Sequence, residues 1–439
     1  MSYNIAISGL NAAQTDLEVT SHNIANASTV GFKEGRAEFA DVYASTFGDV
    51  SAQASGRGVY VSQVSQQFSQ GTVEFSGNNL DLAITGEGFF VTKNAAEEIF
   101  YTRAGQFSVN REGYVVNQAE RRVQALPVTN GDSFDVDNLQ FSSSAEPSAL
   151  SDLQLPTALG RPKESTELKM GVNLDSAEDV IDPALRLAVG TFDVAAPPAE
   201  QSPPPATSYN HSTSTTFYDS LGQAHVANFY YVKTDPNEWE VYTAIERGDG
   251  YYELTGESPI TLTFDTSGNL DLTVPPTATT ATTTQINAAT GAEELVVEID
   301  FSEITQYGSS FDVNDLTQNG YSVGRLNGID IGKEGIVFAR YTNGQSQALG
   351  KIALANFNNP QGLAKSGDTA WQATYTSGDV RIGGPLTADF GSIQSGATEA
   401  ANTDLASQLV KLIIAQRNYQ ANAQVITTNK TMTQTILNV

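Results

Sequence analysis

Residues 405–430 read LASQLVKLIIAQRNYQANAQVITTNK, and their spacing decides how this chain is built. Leu405, Leu412, Tyr419 and Ile426 recur every seven residues, with Leu409 and Ala423 beside them. That spacing predicts a helix with one seam, capped at its start by Asn402 or Thr403. The other end repeats the pattern. In YNIAISGLNAAQTDLEVTSHNIANA, residues 3–27, Tyr3, Leu10, Leu17 and Ile24 step by seven, and Ala6, Ala13, Thr20 and Ala27 follow three places after each. This is an a/d seam with small residues at d. At a rise of 1.5 Å per residue the two helices run roughly 35 Å and 50 Å. Their outer faces carry Asn, Gln, Ser and Thr where a solvated helix carries Glu and Lys pairs. Such faces suit burial on several sides. Two readings stand at this point: an antiparallel pair within one chain, and a seam within the chain plus contacts between copies.

Charge separates the ends from the middle. The chain has 439 residues, with 50 Asp plus Glu against 23 Lys plus Arg and a net charge of −27. Residues 1–30 hold only Asp16 and Glu18, and residues 401–439 hold Asp404 against Lys411, Arg417 and Lys430. The ends cancel, so the whole excess sits in residues 31–400. Phosphate contact needs a basic face, so no nucleic-acid partner is expected, and docking on an anionic membrane surface is disfavoured. No run approaches the roughly 18 apolar residues of a membrane span, so no membrane insertion is expected. The start shows no basic region followed by an apolar core, and no secretory signal peptide is read there. The absence of cysteine excludes disulfides, thiolate metal sites and cysteine nucleophiles. By length the chain is expected to make roughly three domains, with about two or four as the alternatives.

The middle reads as β. Leu82-Ala83-Ile84, Gly88-Phe89-Phe90-Val91, Phe107-Ser108-Val109, Tyr114-Val115-Val116, Phe229-Tyr230-Tyr231-Val232 and Leu295-Val296-Val297-Glu298-Ile299 are short apolar or alternating runs between turn residues. Asn343-Gly344 predicts a hairpin, and Asn110-Arg111-Glu112-Gly113 does similar work. Residues 195–206 and 275–284, rich in Pro and Thr, read as surface loops. Residues 31–75 read as an extended connector anchored by Phe32, Phe39, Tyr43 and Phe47.

Chemistry-bearing motifs are missing. There is no nucleophile elbow and no phosphate-binding glycine loop, and GEGFFV at 86–91 lacks the third glycine of a dinucleotide fingerprint. Asp265-Thr266-Ser267-Gly268-Asn269-Leu270-Asp271 offers oxygen ligands but lacks the bidentate Glu of a calcium loop, and reads as a hairpin loop. The histidines are His22, His211 and His225. No orienting carboxylate at a defined spacing accompanies His211 or His225, and both read as structural or exposed. No catalytic residue, cofactor or metal ligand is expected.

The run SGLNAAQTDLEVTSHNIANASTVGFKEGRAEFAD, residues 8–41, resembles the start of the bacterial flagellar rod and hook axial proteins. The hallmark of that family is matched by residues 23–33, with Asn23, Asn26, Gly31, Phe32 and Lys33 as the motif positions. NLDLAITGEGFFV (79–91) and YTRAGQFSVNREGYVVN (101–117) match further. YTNGQSQALGKIALANFNNPQGL (341–363), QNGYSVGRLNGIDI (318–331) and EAANTDLASQLVKLIIAQRNYQANAQVITTNKTM (399–432) resemble the hook branch.

The resemblance implies a multidomain α+β fold, with terminal α-helical coiled-coil core segments flanking discontinuous, mainly antiparallel β domains. Residues 1–30 are expected as the N-terminal core helix, 31–75 as the connector, 76–147 with 318–390 as an inner β domain, 148–317 as one or two outer β domains, and 391–439 as the C-terminal core helix. Leu10, Leu17, Ile24, Leu405, Leu409, Leu412, Tyr419 and Ile426 are expected in a self-assembly core. The implied function is that of a structural subunit of the flagellar hook: a flexible tubular homopolymer outside the cell that acts as a universal joint and carries torque from rod to filament. The implied partners are further copies of the chain, the distal rod, the hook cap, the hook–filament junction proteins, the hook-length control protein and the flagellar type III export apparatus. The alternatives are a distal rod protein or, in a different class, a secreted acidic β-rich adhesin or enzyme.

Overall fold

A computed structural model describes residues 2–42, 56–129, 134, 138–142, 146–156, 160–187, 204–246, 252–254, 259–271, 291–293 and 295–437. Tyr43, Phe47, residues 195–203 of the expected loop at 195–206, and the expected loop at 275–284 lie outside that set. Helices α1 (Ser2–Ala25) and α2 (Leu405–Leu437) stand at the ends, and the described elements between them are strands and single turns of 3-10 helix. The chain forms two compact units, Met1–Thr157 with Asn327–Arg340 and Ser346–Val439, and Ala158–Leu326 with Tyr341–Gln345.

In the first unit, strand Phe89–Lys93 pairs antiparallel with Ile99–Thr102, Arg122–Leu126 and Leu354–Phe357. It is covered on both faces. Phe90 packs with Leu82, Ile84, Phe107 and Val123, while Phe89 and Val91 pack with Tyr101, Phe357 and Trp371. That double burial is why Gly88–Val91 is a continuous apolar run and not an alternating one. Asn110 closes the expected hairpin, its Oδ1 accepting from Glu112 N at 3.1 Å and Tyr114 N at 2.8 Å. The Asn343-Gly344 turn, whose residues count with the second unit, also forms, with Gly344 at φ +81° between antiparallel strands Ile336–Tyr341 and Ser346–Ile352.

In the second unit two sheets share a core. Strand Glu167–Asp175 points Leu168, Met170, Val172 and Leu174 at Phe229, Tyr231, Trp239 and Val241. The opposite face of strand Ala224–Asp235 buries Tyr230 and Val232 with Leu187 and Tyr242 in a smaller cluster. Glu167–Asp175 pairs in parallel with Glu298–Asp300 and with Thr305–Tyr307, an exception to the antiparallel rule. Of the run Leu295–Ile299, Glu298 and Ile299 are in strand, although Leu295 and Val297 are buried.

The expected divisions shift. Leu153 and Leu155 belong to a core of the first unit, so its edge falls after Thr157 and not near 147, and the return falls at Asn327 and not at 318. Residues 31–75 are not simply extended: Gly35–Asp41 and Val59–Gln66 form an antiparallel ribbon, and Val73–Phe75 pairs with Ala397–Glu399. Within 391–439, Ser392–Ser395 and Ala397–Glu399 are strands laid on the body before α2 begins. Charge also divides unevenly: the second unit has 25 acids against 7 bases, net −18, and the first has 25 against 16, net −9.

Candidate functional site

The helices pack antiparallel. Asn23 Nδ2 lies 3.3 Å from Gln408 Oε1, and a Cβ on Gly9 would lie 2.6 Å from Asn422 Oδ1. Fourteen residues separate these two contacts on each helix, a distance of two heptads. On α1 the buried positions are Ala6, Ala12, Ala13, Thr20 and Asn23, and on α2 they are Gln408 and Ala415. The small d residues of α1 therefore face the partner, as the spacing predicts. The large a residues do not fill the seam. Leu10, Leu17, Ile24, Leu412 and Ile426 flank it half-buried. Leu405 is 49% exposed, Leu409 50% and Tyr419 38%, so within one chain these three lie outside the seam where spacing put them. Alanine and glycine bring the backbones close, and only small or amide side chains fit between them. Leu405, Leu409, Val410, Ile413 and Ile414 form an open apolar stripe on α2.

Below the helices the two chain ends meet at one carboxylate. After α1 the chain turns through Asn26, whose Nδ2 donates to His22 O at 2.9 Å, and Phe32 is buried beside the His22 ring. Gly31 takes φ +70°, and a Cβ there would lie 2.3 Å from Ala104 N, so no other residue fits. Gly31 N donates to Glu399 O at 2.8 Å. Lys33 Nζ donates to Glu399 Oε1 at 2.5 Å and to Ser69 O at 2.7 Å. Arg103 Nη1 reaches Glu399 Oε2 at 3.2 Å while its Nη2 donates to Gly86 O at 2.9 Å. Gly71 N completes the set at 2.8 Å from Glu399 Oε1. The side chains of Lys33 and Glu399 are 0% exposed and that of Arg103 is 6%. Burial pulls the Lys33 ammonium and the Arg103 guanidinium down, and the Glu399 charge opposes both shifts.

Thus Gly31 and Lys33 of the motif bond Glu399, while Phe32 packs beside His22, Asn26 caps the end of the helix and Asn23 bonds Gly35. Sequence reasoning missed Glu399 and Arg103, which supply the other half. One signal was available: Lys33 is the first base in the chain, and Glu399 stands just ahead of the second neutral end. The cap of α2 is also different. Asp404 Oδ1 accepts from Ala406 N at 3.1 Å, while Asn402 bonds Glu34 N at 2.8 Å and Gln67 O at 2.7 Å.

Elsewhere the residues weighed for chemistry have partners within the fold. His225 is buried against Asp219 at 3.2 Å and His211 lies 3.2 Å from Glu178, so both have the carboxylate that sequence spacing did not reveal. Asp219 Oδ1 also closes its own turn through Leu221 N and Gln223 N, and His211 stacks on Phe311. Asp265 Oδ1 accepts from Ser267 N and Asn269 N, holding the hairpin loop expected there. Among the described residues no group of His, Asp and Glu could hold a metal ion, and no helix is long and apolar enough to cross a membrane.

Paired terminal helices locked to a β body mark a chain built to join its own ends. Four family models match in chain order: flagella basal body rod protein over residues 4–33, flagellar hook protein FlgE/F/G D1 domain over 83–164, flagellar basal body protein FlaE D2 domain over 188–321, and flagellar basal body rod FlgEFG protein C-terminal over 394–439. The flagellar hook protein FlgE of Salmonella typhimurium is 36% identical over 439 residues, covering 100% of both chains. The chain belongs to the flagellar hook protein family. The hook protein of Escherichia coli K12 is likewise 36% identical over 100% of both chains, and that of Borreliella burgdorferi is 31% identical over 98% of this chain and 97% of its own. A crystal structure of Helicobacter pylori flagellar hook protein FlgE2 shares the fold, with a TM-score of 0.53 at 15% identity over 74% of this chain and all of that one. Full-length agreement with hook proteins does not favour the distal rod, adhesin or enzyme alternatives.

Proposed function

We propose that this hook-family chain is the repeating subunit of a flexible tube that joins rod to filament and carries torque in motility. The observation that supports this most is the open stripe on α2. Five large apolar residues lie exposed on the first turns of α2, with Arg417 the next residue along that side, in a chain whose body is strongly acidic. In a homopolymer that stripe packs against helices of neighbouring copies as a coiled-coil core, which covers Leu405, Leu409 and Tyr419. The expected division into a helical core, an inner β domain and an outer acidic β domain fits a tube with strong apolar contacts inside and wet, polar, sliding contacts outside. The site of action is outside the cell, reached unfolded through the flagellar export apparatus, and a chain without cysteine suits that route. Distal rod, hook cap, hook–filament junction and hook-length control proteins are the further partners. Negative-stain imaging of the purified chain tests the reading. Curved tubes are expected; short straight rods indicate a rod protein, and persistent monomers rule out both.

A further inference from the structure

Glu399 ties four separate stretches of the first unit: residues 31–33, residues 69–71, Arg103 and its own strand. One carboxylate serves two cations, and all three side chains are sealed from water. Desolvating three charges nearly cancels what their attraction returns, so such a group adds little net stability. It does demand a single geometry. An apolar cluster of the same volume holds the same segments together but tolerates slippage, whereas a carboxylate bonded on both oxygens does not. The node also sits close to what it can steer. α1 ends six residues before Gly31, and α2 begins six residues after Glu399. Asn402 fixes the second exit by bonding Glu34 N and Gln67 O.

We propose that Glu399 is a positioning residue, which through Lys33 and Arg103 fixes the register in which both terminal helices leave the β body, and so presents the helix pair in the one arrangement to which another copy can add. This rests on the self-assembly reading and names the residue that controls it. The role is geometric, so stability and assembly separate on substitution.

Two variants test it, each measured for thermal unfolding by circular dichroism and for assembly by light scattering beside the wild type. K33M/R103M/E399Q removes every charge of the node, while the amide it places at position 399 keeps an acceptor for Gly71 N. E399D keeps the charge and draws the carboxylate back by one carbon. Both are expected to melt within a few degrees of wild type and to assemble at least about tenfold more slowly, the scale of one lost contact of ordinary strength. Wild-type assembly by either folded variant overturns the proposal. So does unfolding of the triple variant together with an E399D assembly defect that disappears once rates are compared at equal folded fraction, because the node is then a stabiliser and nothing more. A wild-type chain that never assembles instead sinks the self-assembly reading, and it does so without any substitution.

Discussion

Asn23 meets Gln408 across 385 residues of chain while both of its amide groups bond the backbone of Gly35, Nδ2 to O at 2.8 Å and Oδ1 to N at 2.9 Å. One buried side chain thus pairs α1 with α2 and with the first strand of the ribbon. Asn23→Leu leaves Gly35 N and O without partners, and each unsatisfied buried group costs about 1–3 kcal/mol. The variant should show a lowered thermal midpoint and early proteolysis within 35–66. An unchanged midpoint would mean that the ribbon is held by other contacts.

Leu412 and Leu409 are three residues apart on α2 but do different work. Leu412 is half-buried and Leu409 is 50% exposed. Leu412→Asp places a charge beside α1 and forfeits about half of the roughly 1.5–3 kcal/mol that full burial of a leucine gives, so helix signal and thermal midpoint should both fall. Leu409→Asp should leave both at wild-type values in the isolated chain. Equal destabilisation by the two variants would mean that the α1–α2 register is wrong.

The helices were legible because heptad spacing survives in both, and the hairpins because Asn110 and Asn343-Gly344 are local turn chemistry. The direction of the seam was not. Period alone cannot say whether Leu405 and Leu409 or Gln408 and Ala415 face the partner, since the two lines lie side by side on α2 and the choice depends on how closely Gly9 lets the helices approach. Glu399 stayed hidden for another reason. Its partners Lys33 and Arg103 lie 366 and 296 residues away, and no spacing rule spans such a distance. The ribbon of Gly35–Asp41 and Val59–Gln66 was missed because its polar face, with Arg36, Glu38, Gln63 and Ser65, reads as connector.

Asp152 carries a pH signature. Burial pushes its carboxyl up, but hydrogen bonds from Gln124 at 2.6 Å and Arg122 at 2.8 Å, with the Arg122 charge, bring it below the ordinary value. A lowered carboxylate pKa gives stability that is present above the unfolded value of about 3.9 and is lost as pH falls through the folded one. Asp152→Asn should therefore melt below wild type at pH 7, and the two should converge in strong acid. A constant gap down to pH 2 would show that the charge of Asp152 contributes nothing.

Salt should favour assembly. Each second unit carries a net charge of −18, and identical units repel. The Debye length falls from about 30 Å at 0.01 M to about 8 Å at 0.15 M, which screens that repulsion, while apolar contacts strengthen in sulfate. Assembly followed by light scattering should speed up with salt, most steeply with sulfate. Slower assembly with added salt would mean that ion pairs between copies dominate.

The central claim is that the open stripe on α2 is the surface on which copies join. Electron microscopy of purified wild type beside Leu409→Asp, at matched concentration and salt, tests it most directly. Curved tubes from the wild type, and folded monomers alone from the variant, are the predicted result. Tubes of normal form from Leu409→Asp would contradict it.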